Sequence, residues 1–284
     1  MRSIEVAAFA KVNLFLKVLG KRKDGYHDIL TIFERIDLSD RIRISKTPSG
    51  IELTCDKRVT DDPGDNLAYK AARAILKKSG AGTGVRIHIR KNIPIAAGLG
   101  GGSSDAAAVL TGINRLLGLG LGKKALMKIG SGLGADVPFF ILDEAFAIGR
   151  GIGDELDIIK TKARFWHLLV FPGSGISTKE VYEGFKVSKV LTRKGLDDKI
   201  RPSDPLLHND LQEPAVRKKP IIGGMLRRLA NLSVAGAIMS GSGPSVFCLY
   251  EARREAVEAK KRLFREVPEE RRKHWRVFVT GTKD

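Results

Sequence analysis

Strict alternation opens the chain. Val6, Ala8, Ala10, Val12, Leu14, Leu16 and Val18 fall on one face of residues 4–18, and Ala7, Phe9, Lys11, Asn13, Phe15 and Lys17 on the other. Period two over this length predicts a strand. After a polar loop bounded by Gly20 and Gly25, further short strands are expected at 29–38 and 41–45. Asp65 and Asn66 precede an amphipathic run, Leu67 to Lys78, which predicts a capped helix. Val85, Ile87 and Ile89 alternate with Arg86, His88 and Arg90 in a half-buried strand that ends at Pro94. A glycine loop follows. Ser103, Ser104 and Asp105 then open a helix that runs to Leu117, and a second helix is expected around Lys123 to Ile129.

The segment from Ala145 to Ile159 is strand-like, with Gly149, Gly151 and Gly153 inside it. A strand at Trp166 to Phe171 begins the second half, with a helix from Thr178 to Phe185. Residues 186–205 are polar and weakly patterned and read as a mobile segment. Helical patterns return at Leu206 to Arg217 and Ile221 to Asn231. A second glycine-serine turn, Gly236 to Pro244, leads into a strand at Ser245 to Tyr250; a charged helix and a last strand, Trp275 to Thr280, follow. This mixed order predicts two α+β domains, 1–155 and 156–284, rather than one doubly wound sheet.

Composition narrows the function classes. The 284 residues, 43% of them hydrophobic, suit two compact domains with real cores. Cys55 and Cys248 lie far apart and match no metal spacing, which fits a reduced, cytoplasmic setting. The first residues lack the continuous apolar stretch of a signal peptide, and no run is long enough to span a bilayer, so no membrane partner is expected. A net charge of +18 admits nucleic acid, an anionic surface or an anionic substrate. The basic stretch from Arg253 to Arg276 is interleaved with Glu255, Glu258, Glu266, Glu269 and Glu270, the mark of a solvated face, and nucleic acid is not expected as a partner.

The glycine loop carries the strongest chemical signal. It reads Pro94, Ile95, Ala96, Ala97, Gly98, Leu99, Gly100, Gly101, Gly102, Ser103, Ser104, fed by a strand and followed by a helix. Open N–H groups and the dipole at a helix start make an anion site, and glycine lets the backbone close around phosphate oxygens. No lysine follows the glycines, which excludes a P-loop. Ser103 stands where a dinucleotide fingerprint needs glycine, and Gly118 to Gly122 where it needs an acidic residue. The motifs of a protein kinase are missing. A tight turn with a serine cap is the bland reading, but it does not need three consecutive glycines and two serines.

Three further features are ambiguous when taken singly. Lys11 and Asn13 share a strand face with Phe9 and Phe15, and alone such a lysine reads as a solvated edge. Asp136, in Gly134-Ala135-Asp136-Val137-Pro138, alone reads as a helix N-cap. Tyr26 and His27 follow Gly25 at a loop tip and offer two rings for stacking on a base, or for packing the tip.

In order along the chain, Ala8 to Leu14, Asp24 to His27, Pro94 to Ser104, Gly134 to Pro138 and Ser240-Gly241-Ser242-Gly243-Pro244 resemble the GHMP small-molecule kinases. Lys11, Asn13 and the Gly25-Tyr26-His27 loop resemble the branch that acts on a cytidine diphosphate alcohol. The resemblance covers nearly the whole chain. It implies a ribosomal-protein-like N-terminal domain followed by a ferredoxin-like α/β-sandwich C-terminal domain. It implies ATP and Mg2+ as cofactors, with residues 94–104 around the ATP phosphates and Asn66 on the adenine side. Asp136 would act as base, with Lys11 beside it to polarise the substrate hydroxyl. Asn13, Tyr26, His27, Thr178 and Tyr182 would meet the cytidine diphosphate substrate, Tyr26 stacking on cytosine. Metal ligands stay unassigned, and the expected assembly is a monomer or homodimer. Phe9 departs from a proline common in the family's first motif. Another GHMP kinase, of homoserine or mevalonate type, is the nearest alternative, and a basic RNA-binding protein a more distant one.

Overall fold

A computed structural model describes residues 3–80, 82–185, 207–233 and 235–284. The segment 186–205 lies outside the described residues. The chain forms two compact units, neither of them one continuous stretch. The first holds residues 1–10, 38–95 and 100–144; the second holds 11–37, 96–99 and 145–284. Two long strands, β1 (Ser3–Lys21) and β2 (His27–Thr47), contribute residues to both.

In the first unit, β3 (Ile51–Cys55) runs parallel to β4 (Gly84–Arg90), which pairs antiparallel with residues 41–47 of β2. The strand order is β3-β4-β2-β1. Helices α1 (Leu67–Ser79) and α2 (Gly101–Leu117) pack on each other, and α2 also packs against α3 (Lys123–Ser131) and α4 (Val137–Leu142). The core joins Ile42, Ile44, Val85, Ile87 and Ile89 of the strands to Ala68, Ala72, Ile75, Val109 and Ile113 of the helices, all buried. Alanine at the helix contacts lets α1 and α2 approach closely while isoleucine fills the sheet side.

Where two short strands were expected, β2 is continuous from His27 to Thr47. Ser39 and Asp40 read as a break in sequence because such residues favour turns. Asp40 is instead fully buried and takes the backbone N–H groups of Asn92 and Ile93 on its carboxylate. Strand β3 was not anticipated. Helix α2 begins at Gly101, before Ser103, so two of the three glycines lie in its first turn.

In the second unit, residues 31–34 of β2 pair with β5 (Phe146–Arg150), which turns back into β6 (Glu155–Ile158). The strand-like 145–159 segment is thus a hairpin. A second sheet has the order β11-β7-β10-β9, from β7 (Trp166–Phe171), β9 (Ile238–Met239), β10 (Val246–Tyr250) and β11 (Arg276–Gly281). Helices α7 (Ile221–Ala230) and α8 (Arg253–Glu266) pack on this sheet. Leu168, Val170, Met225, Val246, Cys248 and Leu263 share its core. Helix α5 (Thr178–Glu183) is where the sequence placed it. The helix expected at 206–217 is shorter: His208–Asn209 form β8, parallel to β1, and α6 covers Gln212–Lys218. Asn209 explains the change, because its amide bonds the carbonyls of Met239 and Gly241 and so holds this stretch extended. Among the described residues, no helix is long and apolar enough to cross a membrane.

Candidate active site

The glycine loop takes three left-handed backbone conformations, at Ala96 (φ 51°), Gly98 (φ 75°) and Gly100 (φ 68°). They turn successive carbonyls onto the second unit's own backbone and side chains. Ser245 N donates to Ala97 O at 3.3 Å, Ser240 Oγ to Gly98 O at 2.9 Å and Lys11 N to Leu99 O at 3.1 Å. Carbonyl oxygens repel phosphate, and each of these three is occupied elsewhere. The second glycine-serine turn therefore serves to clamp the first.

At Gly100 the chain enters the first unit. The first intrahelical bond of α2 runs from Ser104 N to Gly100 O at 2.9 Å, so the N–H groups of residues 100–103 lie beyond the helix ladder at its positive end. Ser104 is buried. A Cβ on Gly102 would meet only Leu67 Cδ1, at an ordinary 3.6 Å. Glycine in a helix costs about 0.5–1 kcal/mol against alanine, and the fold itself has room for the methyl. The missing side chain instead suits close approach of a ligand.

Asp136 also belongs to the first unit. It stands at the cap position of α4, but in helical backbone (φ −81°, ψ −14°) and without a side-chain cap bond. The capping reading is thereby removed. A Cβ at Gly134 would lie 3.7 Å from Ser103 Oγ, so this turn packs against the start of α2. Asn66 is a true cap: its Oδ1 accepts from Ala68 N at 2.9 Å and starts α1. The single oxygen of its amide is thus committed to the fold.

Lys11 and Asn13 lie in the second unit, and neither is a solvated edge residue: they are 4% and 1% exposed. Lys11 Nζ donates to Asn13 Oδ1 at 2.7 Å and sits 5.1 Å from the Phe33 ring centre. Asn13 Nδ2 donates to Thr31 Oγ1 at 2.7 Å, and Thr31 donates to Phe15 O at 2.7 Å. A Cβ on Gly241 would come 3.1 Å from Asn13 Oδ1 and 3.6 Å from Lys11 Nζ, which places the Ser240–Pro244 turn directly over this pair.

The aromatic positions separate. His27 stacks on Tyr182 with ring centres 5.1 Å apart and 29° between planes, whereas Tyr26 is 60% exposed. Burial, with Lys21 adding to it, holds the His27 imidazole below its ordinary pKa and so favours the neutral ring. Thr178 Oγ1 lies 2.8 Å from Ser242 Oγ. The residues assigned to one substrate therefore fall around the Ser240–Pro244 turn and the His27–Tyr182 stack, with Tyr26 on the outside.

Models of the GHMP kinases' N terminal and C terminal domains match residues 66–144 and 194–269. The 4-diphosphocytidyl-2-C-methyl-D-erythritol kinase of Geobacter metallireducens is 44% identical over 262 residues, 90% of this chain and 92% of that protein. The enzyme of the same name from Geotalea daltonii is 45% identical over 277 residues, 94% of this chain and 96% of its own length. The chain belongs to the GHMP kinase family. A crystal structure of a 4-(cytidine 5'-diphospho)-2C-methyl-D-erythritol kinase aligns at a TM-score of 0.81 with 34% identity, covering 99% of this chain and all of that one. The α+β GHMP kinase fold is thus the expected one, and the chain is an ATP-dependent small-molecule kinase.

Sequence reading missed one cluster in this GHMP kinase. Lys91 Nζ bonds Asp40 and, at 2.8 Å, Asp105 Oδ2, all three side chains being essentially buried. Burial pushes the Asp105 carboxyl up to about 7; the Asp40 charge adds to this and Lys91 opposes it. The two carboxylates outweigh the burial of Lys91 and raise its ammonium. Each residue has a bland local reading, and only the fold brings the three together.

Proposed function

We propose that this kinase transfers the γ-phosphoryl group of ATP to the 2-hydroxyl of 4-(cytidine 5'-diphospho)-2-C-methyl-D-erythritol, in the non-mevalonate route to isoprenoid precursors. Identity of 44% and 45% with enzymes of that name over nine-tenths of the chain carries the reading. The hydroxyl oxygen attacks the γ-phosphorus, the bond to the β,γ-bridging oxygen breaks, and ADP leaves. Asp136 takes the hydroxyl proton, a role of about 10²–10⁴ in rate for a positioned base. Lys11 polarises the same hydroxyl. Residues 94–104 hold the phosphates, with Asn66 on the adenine side; the occupied carbonyls of Ala97, Gly98 and Leu99 support this. Asn13, Tyr26, His27, Thr178 and Tyr182 meet the cytidine diphosphate. The His27–Tyr182 stack favours His27 over Tyr26 as the inner ring.

Mg2+ suits this donor set only in part. Among the described residues no cluster of three or more His, Cys, Asp or Glu could hold a metal. The ion would therefore rest on phosphate oxygens, with the Ser103 and Ser104 hydroxyls of the loop available to it, as is usual for a cation that keeps several waters. It would neutralise charge on the triphosphate. We also assign the chain to the cytoplasm and keep 1–155 and 156–284 as its sequence domains; the compact units cut across this division, because 11–37 and 96–99 group with 145–284.

The test is turnover with ATP against the cytidine diphosphate alcohol, homoserine and mevalonate. Preference for the first supports the assignment; preference for either of the others removes it.

A further inference from the structure

The phosphoryl-transfer roles leave the buried Asp40–Lys91–Asp105 cluster unused. Its place in the chain is particular. Lys91, Asn92 and Ile93 are the last residues before Pro94, and Asp105 is the first after Ser104. Asp40 holds the entry side, accepting from Asn92 N and from Ile93 N, the latter at 2.8 Å, while also binding Lys91. Lys91 then reaches Asp105 on the exit side at 2.8 Å. The ammonium lies under the first turn of α2, 3.4 Å from where a Gly101 Cβ would be. We propose that Asp40, Lys91 and Asp105 are positioning residues for ATP: they fix the two ends of the 94–104 loop against each other, so that the α2 N-terminus meets the triphosphate in register.

Stability alone is a poor account of this cluster. A buried ammonium between two carboxyl groups carries desolvation costs that apolar residues of similar volume avoid. Asp105 Oδ1 is buried with no hydrogen-bond partner, which adds an uncompensated polar atom. What the ions provide that an apolar patch does not is directional bonds of fixed length between the strand end and the helix start. The inference rests on reading 94–104 as the ATP loop.

The experiment titrates ATP at saturating alcohol, with thermal unfolding in parallel, on Lys91→Met, Lys91→Met/Asp105→Leu and Asp105→Asn. Apolar replacement of a buried ion group is often neutral or stabilising, so the double variant should regain Tm lost in Lys91→Met. The expected result is a KM for ATP raised about fivefold or more in both, as loss of one charged hydrogen bond implies, with kcat and the alcohol KM little changed. Recovery of the ATP KM together with Tm in the double variant reduces the cluster to fold support and overturns the proposal. So does an unchanged ATP KM in Lys91→Met. If Lys91→Met does not fold, Asp105→Asn decides: it keeps the shape but weakens the bond to Lys91, about a twofold to fourfold rise is expected, and a wild-type value overturns the proposal. Gly102→Ala separates this from the loop assignment. If that variant leaves the ATP KM untouched, the loop reading itself fails, whatever Lys91 does.

Discussion

Gly98 lies directly against the backbone of Ser240, whose side chain in turn donates to Gly98 O at 2.9 Å. A Cβ on Gly98 would stand 2.9 Å from Gly243 N and closer still to Ser240 O, at a φ of +75° that L side chains rarely adopt. Gly98→Ala must push the two turns apart. Overpacking costs about 1–3 kcal/mol and the left-handed backbone about 1–2 more. Thermal unfolding should show a clear loss of Tm, and the remaining folded enzyme should bind ATP poorly. A variant with wild-type Tm would show that the two turns are not in this close contact.

Gly102→Ala is the opposite case. The protein has room for the methyl and the helix gains up to about 1 kcal/mol. Tm should hold or rise slightly while KM for ATP increases. Stability and ligand affinity moving in opposite directions is the result to look for; affinity that does not move removes the ligand reading of this glycine.

Asp136→Asn keeps the shape of the side chain and removes its basicity. The residue makes no side-chain cap bond to α4, so the start of that helix does not depend on its charge. Turnover should fall by about 10²–10⁴, the scale of a positioned base, with ATP binding retained. Calorimetric ATP titration beside single-turnover rates checks both halves; a rate near wild type sinks the base assignment.

Lys11→Met preserves length in a buried site and deletes the ammonium. Asn13 Oδ1 loses its 2.7 Å donor. Removing one preorganised donor from a reacting oxygen costs about 10²–10³ in kcat. A change confined to KM for the alcohol would make Lys11 a binding residue only.

The buried Asp105 carboxyl is raised to about 7, chiefly by desolvation. An unfolded aspartate titrates near about 3.9. The folded state therefore holds a proton that the unfolded chain lacks at intermediate pH. This stabilising contribution is complete below the unfolded value and is lost as pH rises through the folded one. Tm should fall as pH rises from about 4 to about 7, the span between those two values, and by less in Asp105→Asn. Superimposable Tm profiles for the two proteins would remove Asp105 as the titrating group.

The parts of the fold that were legible in sequence are those written in local pattern. The alternation of β1, the apolar face of α1 and the glycine run of the loop all report on neighbours a few residues away. Local preference taken alone misleads where the folded surroundings override it. Asp40 looks like a turn residue until Asn92 and Ile93 supply donors that keep β2 continuous. Asp136 looks like a cap until its helical backbone rules the cap out. Lys11 looks like an edge residue until Phe33 and the Gly241 turn bury it. The pairing of His27 with Tyr182 joins a loop near the start of the chain to α5, and nothing periodic announces it.

The contacts from Lys11 through Asn13 and Thr31 to Phe15 O have a direction. Every donor in the series points the same way, from the ammonium toward a backbone carbonyl. Lysine has donors and no acceptor. An alcohol that meets Lys11 can therefore do so only through a lone pair, and its own hydrogen is turned outward, to be collected by some other group. If the proposed substrate alcohol meets Lys11, this wiring admits its oxygen as an acceptor and turns away an ammonium or an amide N–H before any bond is made or broken. One strand face, fixed during folding, makes that distinction.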